Sequence, residues 1–223
     1  LSTLGAIERE TLTKKWRKRV KTADNQEVTE NKSERILREI TSQVSDSKKE
    51  LFSHLIKESL KLLAKHEEKQ ALRTLERSLE ISPENIRLLL FIAEIYFQTD
   101  KCESAKVYLE RILKIEPRNK KAKLLLGIIL ADLFEVKKAK THLPELLSEK
   151  NFKFTVSYIL GVISAFETDW KSALEYFKES LFAFDAPETH YLVGCVYFQL
   201  NKFKLALRHL QKAVERDTNF ADA

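Results

Sequence analysis

Two sets of small residues recur along this chain at a nearly constant spacing, and they constrain its fold more than any other feature. The first set is spaced by 34, 34, 34 and 33 residues and consists of Ser59, Ala93, Gly127, Gly161 and Gly194. The second set follows the first by twelve residues and consists of Ala71, Ala105, Ala139, Ala173 and Ala206. A period that persists over five units predicts a repeat architecture.

Mostly bulky residues keep the same period. Three residues after the first set stand Leu62, Tyr96, Leu130, Ser164 and Tyr197. Four residues after the second set stand Leu75, Leu109, Leu143, Phe177 and Leu210. A small residue opposite a large one lets two helices approach closely. We therefore interpret each unit as a hairpin of two antiparallel helices.

The composition agrees with helices throughout. The chain of 223 residues has only four Gly and four Pro, and 32% of its residues are charged. Such a shortage of turn residues and strand formers favours an all-α fold. Pro83 and Pro117 each stand twelve residues after the second small residue of a unit, where a helix should end.

The fullest copies of the pattern are LLLFIAEIYFQTDKCESAKVYLERILKIEP (88–117) and HYLVGCVYFQLNKFKLALRHLQKAVERD (190–217). In them the sequence resembles the tetratricopeptide-repeat (TPR) family, and the resemblance spans roughly 52–219. It implies an α-solenoid of about five hairpins with an N-terminal helical extension. Some positions depart from the family pattern and suggest looser packing of the third and fourth units. Lys123, Ser157 and His190 replace its leading aromatic, and Asn151, Asp185 and Thr218 replace its Pro.

We expect three regions along the chain. Residues 1–46 form a basic N-terminal extension, with a capping helix near 33–44 that packs on the first repeat. Residues 47–219 form the five units, at about 52–85, 86–119, 120–153, 154–186 and 187–219. Residues 220–223 begin a further helix or are a truncated end.

The family resemblance implies that the first helix of each hairpin lines a concave groove. Relative to the first small residue, the groove positions lie three before, one after, and four or five after. We predict that these columns form a partner-binding groove, which is apolar apart from one Glu. Its residues are Ile56, Leu60, Leu90, Glu94, Phe97, Leu124, Ile128, Tyr158, Val162, Phe166, Tyr191, Cys195 and Phe198.

An apolar groove of this kind predicts a protein-interaction scaffold or adaptor. Some family members hold a peptide carboxylate with Lys and Asn in the first two columns, which here contain Leu, Ile, Tyr and Val instead. We therefore expect a helical, apolar or amphipathic segment of a protein partner. Two other occupants stay open: a flanking segment of the same chain, and a second copy of the chain.

The N-terminal extension suggests an alternative function. Around Trp16 stand Lys14, Lys15, Arg17, Lys18, Arg19 and Lys21. Such a segment could contact nucleic acid or an anionic membrane surface. We favour a solvated linker, because acidic residues follow at once and the repeats add no sustained basic surface. The chain could also be the recruiting arm of a larger enzyme or signalling protein.

Catalytic and metal-binding patterns are missing from the sequence. The five His are never three or four residues apart, and no glycine-rich loop or catalytic motif occurs. We expect no enzyme activity, no metal and no cofactor. Cys102 and Cys195 are far apart in sequence, which favours a reducing compartment, and no apolar run reaches 18 residues. We therefore expect a cytoplasmic protein.

Overall fold

The computed structural model describes residues 30–42 and 44–218, and these contain eleven α-helices, one short 3₁₀ helix and no strand. The prediction of an all-α fold is thus confirmed. The helices are α1 (Glu30–Thr41), α2 (Asp46–Ala64), α3 (Glu68–Ile81), α4 (Ile86–Gln98), α5 (Cys102–Ile115), α6 (Lys120–Asp132), α7 (Val136–His142), α8 (Lys153–Phe166), α9 (Trp170–Ala183), α10 (Pro187–Gln199) and α11 (Phe203–Arg216). The 3₁₀ helix, Pro144–Ser148, lies between α7 and α8.

The chain divides after Ala122 into two compact units. The N-terminal unit contains α1 and the hairpins α2/α3 and α4/α5. Helix α1 occupies the region where the capping helix is expected, and it packs against α2. Buried Asn85 also connects α1 to the start of α4, because its Nδ2 donates to the Ile40 carbonyl over 2.9 Å while its Oδ1 caps α4 by accepting from the Leu88 amide over 3.0 Å.

A cluster of two tyrosines and one glutamate joins three helices of the N-terminal unit. The rings of Tyr96 on α4 and Tyr108 on α5 stack with their centroids 5.6 Å apart. Both hydroxyls donate to Oε1 of Glu76 on α3, each over 2.9 Å. Burial, followed by the hydrogen bond to this carboxylate, raises the pKa of Tyr108. The phenol therefore stays a donor, and the cluster connects one hairpin to the next.

The C-terminal unit contains most of α6 and all the helices that follow. Its glycines are the notches that the repeat pattern predicts. A Cβ on Gly127 would lie 2.5 Å from Leu143 Cδ2, one on Gly161 would lie 2.6 Å from Phe177 Cδ1, and one on Gly194 would lie 2.7 Å from Leu210 Cδ2. The large residue is in each case the one predicted to face the small residue, which confirms the pairing in these three hairpins.

The third hairpin departs from the regular pattern. Its second helix, α7, ends at His142, and Pro144 begins the 3₁₀ turn that follows. Proline has no amide hydrogen and its ring clashes with the preceding helical turn, so an α-helix does not continue through it. Leu143 stays fully buried and fills the notch at Gly127. The helix shortens but the contact between the two segments remains.

Each first helix ends in the same turn, with a left-handed residue seven positions after the first small residue. These residues are His66, Asp100, Phe134, Thr168 and Asn201, with φ between 56° and 60°. Around each, the paired backbone bonds are those of a Schellman motif, such as Thr168 N to Ala165 O at 3.1 Å and Asp169 N to Ser164 O at 2.9 Å. Glycine usually takes this position, and here none does.

Candidate functional site

The N-terminal unit places its predicted groove residues mostly out of reach of a partner. Ile56, Leu60 and Phe97 are buried, whereas Leu90 and Glu94 are half-buried. The three buried side chains belong to the packed interior, because a helix that is apolar on most sides is covered on more than one of them. They are therefore removed from the candidate surface.

Two predicted residues of the C-terminal unit are also inaccessible. Ile128 and Tyr158 are buried. The Tyr158 ring lies with its centroid 6.3 Å from Phe177, the ring that fills the notch at Gly161. Because Tyr158 precedes Gly161 by three residues, the two lie close to one face of α8. This position follows from helix geometry, and the assignment of Tyr158 to an open groove was incorrect.

The remaining candidates of the C-terminal unit keep part of their surface open. On α8 and α10, Val162, Phe166, Tyr191 and Cys195 are half-buried, and Phe198 is 57% exposed. We call these five residues the apolar face. Leu124 on α6 is half-buried as well.

Phe134 extends the apolar face and was not predicted from the sequence. It lies in the turn after α6, where its side chain is 58% exposed, and its ring centroid lies 6.0 Å from that of Phe166. Its backbone φ of 60° is costly for a bulky residue. Since the same turn ends every first helix, the backbone conformation belongs to the repeat, and it is the exposed ring that adds Phe134 to the candidate surface. The repeat period could have identified Phe134 as a turn residue, because it stands seven residues after Gly127, the first small residue of its unit.

A second aromatic pair includes Phe198, the last residue of the apolar face along the chain. Phe198 at the end of α10 meets Phe203 at the start of α11 edge to face, with centroids 5.5 Å apart. Both rings are more than half exposed. Among its described residues, the C-terminal unit exposes the large aromatic residues Phe134, Phe182, Phe184, Phe198 and Phe203. Exposed apolar residues that form a contiguous patch often mark a contact site, and Phe134, Phe198 and Phe203 each contact another aromatic ring of this unit.

The positions that depart from the family's leading aromatic are each matched by a polar group on the second segment of the same hairpin. Lys123 pairs with Glu145. Ser157 donates to Glu179 Oε2 over 3.4 Å. The third such position, His190, contacts His209. The departures therefore form polar contacts within their hairpins, instead of leaving the positions unfilled.

A polar cluster surrounds His190, which is buried although Asp185 beside it is exposed. His190 is 3% exposed, its Nδ1 lies 3.0 Å from Nδ1 of His209, and its Nε2 lies 2.7 Å from Oδ1 of Asp185. Arg216 also pairs with Asp185. Asp185, which replaces the family's Pro, and His190, which replaces its aromatic, thus compensate each other.

The contacts around the two rings indicate which ring nitrogens carry a hydrogen when both histidines are neutral. His190 donates from Nε2–H to the carboxylate, so its Nδ1 accepts the Nδ1–H of His209. Burial lowers the pKa of both rings, to about 4 for His209. The two imidazoles can accept one added proton, because one Nδ1 can still act as acceptor. If both rings were protonated, the two Nδ1–H groups would face each other. The cluster is thus a structural clamp between α10 and α11.

We also searched the described residues for a metal site and for a membrane-spanning helix. Within residues 30–42 and 44–218, no group of three or more His, Cys, Asp or Glu could hold a metal ion. None of the described helices is both long and apolar enough to cross a membrane. The basic residues at positions 14–21, predicted to contact anionic surfaces, lie outside the described residues.

Comparison with known proteins links the hairpins to one family. Models of the tetratricopeptide repeat match residues 62–127 and 187–220. No curated protein matches the chain.

Solved structures match the fold. MamA (41-end) from Desulfovibrio magneticus RS-1 is 16% identical, with a TM-score of 0.70 over 75% of this chain and 96% of its own. PilF from Pseudomonas aeruginosa is 19% identical, with a TM-score of 0.63 over 76% of this chain and 78% of its own. At such identities the likeness establishes the fold alone, an all-α solenoid of helical hairpins. The two family matches show that this chain contains tetratricopeptide repeats.

Proposed function

We propose that this protein is a protein-interaction scaffold that binds an apolar segment of a partner on the apolar face of α8 and α10, extended by Phe134. Tetratricopeptide repeats serve as protein-binding scaffolds and are typically non-enzymatic, so we propose no reaction. The observation that supports the location is the partial exposure of Phe134, Phe166 and Phe198 in one compact unit.

The energetics favour an apolar partner. Fully burying a Phe side chain contributes about 1.5 to 3 kcal/mol, so covering the exposed parts of Phe166 and Phe198 together contributes at most about that much. Aromatic anchors often dominate the binding energy of an interface. Phe166 and Phe198 are suited to this role, since each ring contacts a neighbouring aromatic that holds it in place.

The surface fits an amphipathic helix better than a charged segment. The apolar face contains no charged side chain, and the ion pair next to it, Lys140 with Glu167, is internally neutral. Anchors on a partner helix would recur every three or four residues. Binding should then depend weakly on salt, because little net charge is screened.

Capture from native lysate tests the proposal. Phe166→Ala and Phe198→Ala should each reduce capture of the same protein at least fivefold, with unchanged helicity. Phe182→Ala is the matched control, because Phe182 is 88% exposed and lies on α9, outside the apolar face. Equal capture by all three variants would reject the apolar face as the binding site. Loss of capture between about 0.05 and 0.5 M salt would instead indicate recognition of charge.

A further inference from the structure

Helix α1 lies on the side of the N-terminal unit that the first helices form. It packs against α2 and α4, which are the first helices of two successive hairpins. In the C-terminal unit the corresponding helices, α8 and α10, carry the apolar face. Helix α1 therefore lies in its own unit where a bound segment would lie in the other.

The last turn of α1 is its most buried part. Ile40 and Thr41 are 2% and 8% exposed. The last carbonyls of a helix have no partner within the helix, so another group has to supply the donor. Here Nδ2 of Asn85 supplies it, because it donates to the Ile40 carbonyl over 2.9 Å. The N-terminal unit thus binds the C-terminal end of a helix.

An ion pair lies beside this hydrogen bond. Glu39 directly precedes Ile40, and its Oε2 lies 3.2 Å from Nη1 of Arg87. Both side chains are 50% exposed, so the pair adds little stability but favours an acidic residue at this position. A cation near the end of a helix also complements the negative end of the helix dipole. We call Asn85, Arg87 and the surfaces of α2 and α4 that α1 covers the α1 site.

The polar residues of the α1 site do not recur in the last hairpin of the C-terminal unit. Asn85 and Arg87 stand eight and six residues before the first small residue of their repeat, and the corresponding residues of the last repeat are Ala186 and Glu188. Ala186 has no side-chain donor, and Glu188 would repel an acidic residue. A helix with the chemistry of α1 is therefore matched to the N-terminal unit.

Helix α1 covers its site incompletely. Ile36 and Leu37, which continue its apolar side, are half-buried. Residues 42–45 connect α1 to α2, so α1 stays close to the site when it leaves it. A short connection gives an effective concentration on the order of millimolar, against which any other segment has to compete.

We propose that α1 is an intramolecular ligand of the N-terminal unit, and that a partner protein binds there by displacing it with an amphipathic helix of the same chemistry. The last turn of the partner helix contains an aliphatic residue that packs against α2 and α4, and the carbonyl of that residue accepts from Asn85. An acidic residue just before it pairs with Arg87. This site does not rest on the function proposed for the apolar face.

A fluorescein-labelled peptide of residues 30–44 tests whether the α1 site exchanges its occupant. In the full chain, Ile40→Asp should release α1, so the peptide should bind at least tenfold more tightly than it binds the wild type in fluorescence anisotropy. Glu39→Lys is a milder variant at an exposed position and should strengthen peptide binding in the same direction. Circular dichroism checks that each variant folds.

A charge exchange makes the test specific for the α1 site. The chain with Arg87→Glu should bind a Glu39→Lys peptide at least tenfold more tightly than the unmodified peptide. Arg73→Glu, at an exposed position of α3, is the matched control and should behave as the wild type. Adding Phe166→Ala to the Ile40→Asp chain should leave peptide binding unchanged, which separates this site from the apolar face.

Three results would overturn the proposal. If the Ile40→Asp and Glu39→Lys chains fold but bind the peptide no more tightly than the wild type, α1 is a permanent cap. Equal affinity of the two peptides for the Arg87→Glu chain would place the peptide elsewhere. A wild-type dimer that forms with rising concentration and that Ile40→Asp abolishes would assign the site to α1 of a second copy.

Discussion

Adding one methyl group at Gly161 should destabilise this protein, although alanine is the better helix former. A Cβ there would lie 2.6 Å from two carbons of Phe177, whose ring is fully buried and meets Tyr158. Overpacking costs about 1 to 3 kcal/mol, and replacing Gly by Ala inside a helix returns about 1 kcal/mol. We expect Gly161→Ala to lower the free energy of unfolding by about 1 kcal/mol.

Gly194→Ala is the matched comparison in the same unit. Its Cβ would lie 2.7 Å from Cδ2 and Cγ of Leu210 and 3.3 Å from the Ala206 carbonyl oxygen, but Leu210 is half-buried and can turn toward solvent. The helix propensity gain then balances or exceeds the remaining strain, so the free energy of unfolding should stay within about 0.5 kcal/mol of the wild type. The difference between the two variants measures how rigidly the large residue is held.

Urea denaturation followed by circular dichroism gives both free energies. Combining Gly161→Ala with Phe177→Leu should cost less than the sum of the single changes, with a coupling energy of about 1 kcal/mol, because the smaller side chain leaves room for the methyl group. Additive effects, or equal stability of Gly161→Ala and Gly194→Ala, would refute the close packing of small residues against large ones.

Three further predictions concern a cap, a clamp and a turn. Asn85→Ala should lower the free energy of unfolding by about 1 to 2 kcal/mol in urea denaturation, since it removes the cap of α4 and the bond to Ile40, and an unchanged midpoint would contradict this. Because the pKa of His209 is lowered to about 4 in the folded state, its contribution to stability is complete above pH 6.5 and is lost as the pH falls from 6.5 toward 4. With allowance for solvent screening the wild type should lose about 1 kcal/mol more than His209→Gln between pH 6.5 and 5, and parallel pH profiles would contradict the clamp. Thr168→Gly should raise the thermal midpoint by relieving a β-branched residue at φ 60°, a gain of about 0.5 to 1 kcal/mol, and a lower midpoint would show that the turn is unstrained.

The repeat pattern was sufficient to predict the fold, because contacts between helices depend on residues that recur in register. Gly161 and Phe177 could be paired from sequence since each belongs to a column with a constant period. The turn residues were harder to predict. Glycine usually signals a left-handed helix end, and Phe134 or Thr168 in that position gives no such signal unless the period itself is followed.

The candidate site could be predicted only in part. Ile56 and Val162 look alike in sequence, yet one is fully buried and the other half-exposed, because coverage depends on which other segments pack on the helix. The pairing of Asp185 with His190 was also hidden, since each residue separately resembles a simple departure from the family pattern. Packing between segments decides the burial of Ile56 and Val162, whereas the contact between Asp185 and His190 depends on the backbone that leads into α10; the repeat period contains neither kind of information.

The most direct test of the central claim is photo-crosslinking from the apolar face. Benzoylphenylalanine placed at Phe166 or Phe198 should crosslink to one and the same protein in native lysate, and the probe placed at Phe182 should not. Crosslinking of that protein from Phe182 alone, or equally from all three positions, would contradict the account.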